Sequence, residues 1–139
     1  MKEYVVDASV AVKWFIPEVH SIAASRLMDS EINLHAPDFF AAEIGNILWK
    51  KIRRREIEVA RASEIVNTVQ AFDIEIHPSA ELLPVALNFA VAFGHPIYDC
   101  LYLAVAVAQN CPVVTADKRF AAAAAPTHSR YILWVEDAL

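Results

Sequence analysis

Glu3-Tyr4-Val5-Val6-Asp7 is a strand-like apolar run that stops on a carboxylate, and Pro112-Val113-Val114-Thr115 repeats the device with Asp117 two residues beyond it. Between these runs the strand and helix signals alternate, which predicts a parallel sheet covered by helices on both faces. The expected fold class is α/β: a three-layer α/β/α sandwich around a central parallel sheet of four to five strands. In such sheets ligands bind at the carboxyl ends of the strands. Asp7 and Asp117 are therefore expected to meet there.

Working outward, a short helix is expected near Val10 to Phe15, and Pro17 opens a helical stretch with Ile22, Ala23, Leu27 and Met28 at core spacing. Ile32 to Ala36 reads as a strand. Asp38 is placed to cap a helix whose apolar face is Phe39, Phe40, Ile44, Ile47 and Leu48. Another helix carries Val59, Ala62, Ile65, Val66, Val69 and Phe72 on one side. Ile74-Glu75-Ile76 alternates like an edge strand that Pro78 ends. Ala80 to Phe93 is helical up to Gly94. Pro96 suits the first turn of a helix running to about Gln109, apolar nearly all round and so expected to be central. Lys118 to Ala125 reads as a short helix and Tyr131 to Trp134 as a last strand.

The chain has 139 residues, 57% of them hydrophobic and 21% charged, the balance of a folded protein rather than a disordered one. One domain over residues 1–139 is expected. The long charge-free stretches are broken by Pro84, Gly94, Pro96 and Pro112, so they read as buried elements rather than membrane spans. Cys100 and Cys111 lack metal-knuckle spacing, and a reduced, cytoplasmic protein is expected. With only two glycines there is no phosphate-cradling loop, which argues against nucleotide triphosphate chemistry.

Four acids carry the functional reading: Asp7, Glu43, Asp99 and Asp117. Three have ordinary explanations. Asp7 can cap the following helix, Asp99 can complement a helix dipole, and Asp117 can sit in a turn. Glu43 resists one, because it interrupts an apolar helical stripe where an unpaired carboxylate costs several kcal/mol. Carboxylates about 4 Å apart repel by roughly 4 kcal/mol per pair at an effective dielectric of 20. A cluster of them must protonate or recruit a cation, and an all-oxygen set suits Mg²⁺ or Mn²⁺ rather than zinc. Such an ion activates water and steadies a leaving oxygen, the chemistry of phosphodiester cleavage.

Ser9 and Thr115 stand two residues from Asp7 and Asp117, and Asn46 one turn after Glu43, as supporting polar groups; local capping explains the hydroxyls equally well. The net charge of −5 opposes broad attraction to nucleic acid. Yet Lys50, Lys51, Arg53 and Arg54 cluster at a helix end, and Lys118 and Arg119 follow Asp117. These are candidate RNA-phosphate contacts, or simply cations at a helix C-terminus. His95 lies four residues before Asp99, within reach of pairing, and reads as a loop histidine. Trp14, Trp49 and Trp134 read as packing residues more than as base-stacking ones.

The motifs Val5-Val6-Asp7-Ala8-Ser9, Glu43-Ile44-Gly45-Asn46, Tyr98-Asp99-Cys100-Leu101-Tyr102-Leu103-Ala104 and Val113-Val114-Thr115-Ala116-Asp117, in this order, resemble PIN domains of the VapC toxin type. The resemblance implies a metal-dependent endoribonuclease leaving a 5′-phosphate and a 3′-hydroxyl. By position it makes Asp7, Glu43 and Asp99 central ligands of Mg²⁺ or Mn²⁺ and Asp117 the fourth acid. It also implies an RNA substrate, a homodimer and a cognate antitoxin protein in the active-site groove. A housekeeping RNA-processing nuclease without an antitoxin stands beside it, as does a receiver-like or RNA-binding module without activity. The receiver reading lacks the acidic pair it needs, since Ala8 and Ser9 follow Asp7.

Overall fold

In the computed structural model, which describes residues 1–138, five strands make one wholly parallel sheet in the order β3-β2-β1-β4-β5. They are β1 (Lys2–Val6), β2 (Ile32–Pro37), β3 (Ile74–His77), β4 (Val113–Thr115) and β5 (Ile132–Trp134). The chain steps outward from β1 to β3, then returns past its starting strand to add β4 and β5. The order therefore reverses between β1 and β4, where Val5 stands opposite Val113. Ligand crevices open at such reversals.

The helices follow from this order. Right-handed crossovers moving in opposite directions land on opposite faces of a sheet. One face receives α1 (Ala8–Ala11), α2 (Ser21–Ser25), α3 (Phe40–Arg53) and α4 (Val59–Gln70). The other receives α5 (Ser79–Phe93), α6 (Ile97–Gln109) and α7 (Lys118–His128). The result is the expected three-layer sandwich. As its all-round apolar character requires, α6 lies across β1, β2 and β4, with every residue from Cys100 to Ala106 buried. The helix α5 leans on α6 from outside and leaves Leu83, Val85, Leu87 and Val91 exposed. Among the described residues no single helix is long and apolar enough to cross a membrane; α5 and α6 meet at a 120° bend.

Some local expectations are corrected. The first helix starts earlier, at Ala8, and tightens into a 3₁₀ turn over Val12–Trp14. The second is only Ser21–Ser25, followed by a 3₁₀ turn over Arg26–Met28. Ala23, Ala24 and Leu27 form the buried stripe at ordinary helical spacing, which puts Ile22 on the solvent side, 79% exposed. Met28 also faces outward. Asp38 does not cap α3, whose N-cap position is Phe39. Its carboxylate instead accepts from the Ser79 N–H at 3.1 Å and from the Ser79 hydroxyl, tying the end of β2 to the start of α5. The alanine run carries α7 beyond Ala125 to His128, since alanine is the best helix former.

Candidate active site

Asp7 leaves the central strand with extended backbone and caps α1, its Oδ1 accepting the Ser9 N–H at 3.3 Å. Its Oδ2 accepts the Thr115 hydroxyl at 3.3 Å. That hydroxyl oxygen in turn accepts the Asp117 N–H at 3.0 Å. Asp117 caps α7 through its Oδ1, which accepts the N–H groups of Arg119 (2.9 Å) and Phe120 (3.2 Å). Capping and convergence are thus not alternatives. The caps aim both carboxylates at the strand reversal.

Two helix starts supply the rest. Asp99, in the first turn of α6, lies with Oδ2 2.5 Å from His95 Nε2. One donor atom each from His95, Asp99 and Asp117 fall within 4.8 Å of one another. Glu43, in the first turn of α3, points inward, and its Oε1 is buried without a hydrogen-bond partner. The Ser9 and Tyr102 hydroxyls are buried and unpartnered as well.

The charges feel one another. Burial, then the charges of Asp99 and Glu43, push Asp7 up to about 7. Burial raises Glu43; the Tyr102 hydroxyl, close by though outside hydrogen-bond geometry, opposes the rise and Asp99 adds to it. Burial raises Asp99 too; His95 works against the rise and Asp117 reinforces it. Burial and the charges of Asp7 and Glu43 hold Tyr102 far above the usual phenol range, so it stays a neutral hydroxyl. Carboxylates so destabilised, with a buried unpartnered Glu43 oxygen and an unpartnered Ser9 hydroxyl among them, fit a hard divalent cation.

The other expected residues take separate places. Asn46 is exposed one turn beyond Glu43. A cavity of about 340 Å³ lined by Ser9, Lys13, Ile47, Lys50, Lys51, Arg54 and Ala116, among others, adjoins the acids. Within it Lys51 is already engaged, 2.9 Å from Glu18 and 3.6 Å from Glu56, and Lys13 holds Glu18 at 3.1 Å. Arg53 lies over the Trp49 ring, 4.9 Å from its centroid. Lys118 and Arg119 are exposed in the first turn of α7. Trp14 is a packing residue, bonded to the Ala24 carbonyl at 2.9 Å and stacked on Phe72.

Two participants escape a residue-by-residue reading. His95 pairs with Asp99 rather than standing in a loop alone, and its spacing of four was the available signal. Tyr102 lies three residues after Asp99 on the same helix, a spacing that puts both on one side.

Comparison with known proteins gives a consistent picture. The family model described as PIN domain matches residues 4–126. The chain is 33% identical over 119 residues to Ribonuclease VapC3 of Pyrobaculum aerophilum, covering 84% of this chain and 91% of that protein. It is 28% identical to Ribonuclease VapC1 of Mycobacterium tuberculosis, over 88% of this chain and 92% of the other. A crystal structure from Pyrobaculum aerophilum superposes with a TM-score of 0.72 at 27% identity, covering 97% of this chain and 85% of that one.

Proposed function

The chain belongs to the PIN-domain family, and from its acidic cluster we propose that Asp7, Glu43, Asp99 and Asp117 are the catalytic residues of a metal-dependent endoribonuclease, the toxin of a toxin–antitoxin pair. The observation that carries this reading is the convergence of the acids: Thr115 joins Asp7 to the Asp117 backbone, donor atoms of Asp99 and Asp117 lie within 4.8 Å of one another, and a buried Glu43 oxygen has no partner.

In this reading Asp7, Glu43 and Asp99 hold the cation, Mg²⁺ or Mn²⁺, and Asp117 completes the set from the α7 side. A bound dication supplies an activated water and charge neutralisation at the scissile phosphate. Thr115 and Ser9 fix the Asp7 carboxylate, and His95 fixes that of Asp99. Asn46 faces the substrate side of Glu43. Lys50, Arg53, Arg54, Lys118 and Arg119 hold RNA phosphates, with Lys51 bracing the wall behind them. Exposed RNA loops, which splay readily, are the substrate class. The outward apolar side chains of α5 support a homodimer, and the basic cavity supports an acidic segment of the antitoxin as its occupant. The protein acts in the cytoplasm.

The test is incubation of the purified protein with total cellular RNA in Mg²⁺, Mn²⁺ or EDTA, followed by mapping of new 5′ ends. Discrete 5′-phosphate ends that vanish in EDTA support the reading. Intact RNA in both metals, or cutting undiminished by EDTA, overturns it.

A further inference from the structure

Away from the acids, three strands bring a second set of donors onto one face of the sheet. His35 stands opposite Glu75 and Pro37 opposite His77 in the β2–β3 register, while Glu3 stands opposite Asn33 on β1. Alternate residues of a strand share a face, so Glu3, His35, Glu75 and His77 lie on the same side. His35 is 1% exposed. Its Nε2 lies 2.7 Å from Glu3 Oε1, and its Nδ1 lies 2.9 Å from His77 Nε2 and 3.4 Å from Glu75 Oε2.

The protons on this group are over-subscribed. When Glu3 accepts the Nε2 proton of His35, the Nδ1 lone pair is left facing both the His77 nitrogen and the Glu75 carboxylate. A proton from His77 satisfies one contact and leaves Glu75 against a lone pair, and a second proton on His35 has to be shared between the His77 nitrogen and Glu75. A cation in place of that proton satisfies all three. The spacing agrees, because tetrahedral zinc with bonds near 2.0–2.1 Å puts its ligands about 3.3 Å apart. One donor atom each from His35, Glu75 and His77 lie within 4.8 Å of one another. A carboxylate on the far nitrogen of a ligating histidine is the usual outer support of such sites, and Glu3 holds that position.

We infer that His35, His77 and Glu75 form a second metal site, for a borderline transition-metal dication such as Zn²⁺, with Glu3 orienting His35. Two imidazoles and one carboxylate select zinc over magnesium, opposite to the all-oxygen cluster. The site joins β2 to the edge strand β3, whose four residues include none that is fully buried. Bound metal there clasps the sheet edge. This inference does not rest on the nuclease reading.

The experiment counts zinc on the Asp99→Asn full-length protein in excess Mg²⁺, which disables the His95–Asp99–Asp117 trio as a rival site. After gel filtration, elemental analysis is expected to find a single equivalent, with an anomalous peak at the zinc edge between His35 and His77. Adding His77→Ala is expected to abolish it, and Glu75→Gln, a second variant at an exposed position, to weaken it at least tenfold. Glu3→Gln is expected to weaken it roughly 10–100-fold while keeping the stoichiometry. No zinc retained by the parent, or occupancy unchanged by both His77→Ala and Glu75→Gln, overturns the proposal and leaves only a hydrogen-bonded histidine pair.

Discussion

Thr115 and Asp7, 108 residues apart in sequence, are joined by a 3.3 Å hydrogen bond across the two strands where the sheet reverses. The same hydroxyl accepts the Asp117 N–H. One buried side chain thus sets the orientation of two acids. Thr115→Val removes both bonds with little change of shape. It is expected to destabilise the fold by about 1–3 kcal/mol and to lower the cleavage rate, checked by chemical denaturation and by timed cutting of a defined RNA.

Asp7→Asn separates stability from activity. The amide keeps the size of the carboxylate but removes a charge that burial, Asp99 and Glu43 all disfavour. Cleavage is expected to fall by at least a hundredfold. In EDTA near pH 8 the variant is expected to melt above the parent. A variant that cuts as fast as the parent rules out the proposed role of Asp7.

The metal-free protein should also show this penalty as a pH dependence. Asp7 titrates near 7 in the folded chain, against 3.8 for an ordinary aspartate. The folded state therefore binds this proton more tightly than the unfolded one. The resulting stability is fully present below the ordinary aspartate range and is lost as pH rises through about 7, an effect on the order of 4 kcal/mol. Melting curves in EDTA at about pH 5 and about pH 8 capture about 2.7 kcal/mol of this loss, the part that falls between those two values. Mg²⁺, which favours the ionised form, is expected to shrink it.

His95→Ala tests the positioning of Asp99. His95 loses its 2.5 Å contact to Asp99 Oδ2 and a tilted ring contact with Phe120, 5.2 Å between centroids, and lies outside the sheet. The fold is expected to survive, while Mn²⁺ affinity falls roughly 10–100-fold, as for other losses of a partner to a ligand. Titration calorimetry with Mn²⁺ reads this directly.

The basic residues divide by what already holds them. Lys51 is committed to Glu18 and Glu56, so Lys51→Ala is expected to cost stability more than RNA affinity. Lys50→Ala and Arg54→Ala, on the same cavity wall, are expected to weaken RNA binding uniformly across sequences. Each should reduce the salt dependence by about 0.7 in log–log slope.

Much of this was legible because the fold advertises its site through violations of pattern. A buried Asp7 at the end of a strand and a glutamate inside the Phe40–Ile44–Leu48 stripe are unfavourable placements for a lone carboxylate, while Asp117 was marked only by its position past a second strand. The parallel sheet was legible from the alternation of strand and helix signals, and the central place of α6 from its being apolar on every side. Pairings between distant residues left no such mark. Asp38 looked like a local cap because its true partner, Ser79, is 41 residues away. The outward turn of Met28 accompanies a 3₁₀ segment that has no compositional signature, and Ile22 lost the phase to its neighbours Ala23 and Ala24. The His35–His77 contact depends on strand register, which neither segment specifies alone.

The strand order has a consequence for how the protein is made. β1 is made before the other strands, yet it waits for the fourth of them, β4, before its second edge is covered. A chain emerging from the ribosome therefore carries Asp7 and Glu43 long before Asp117 exists. On the proposed assignment of the four acids, the growing polypeptide cannot cut until the β1–β4 pairing closes.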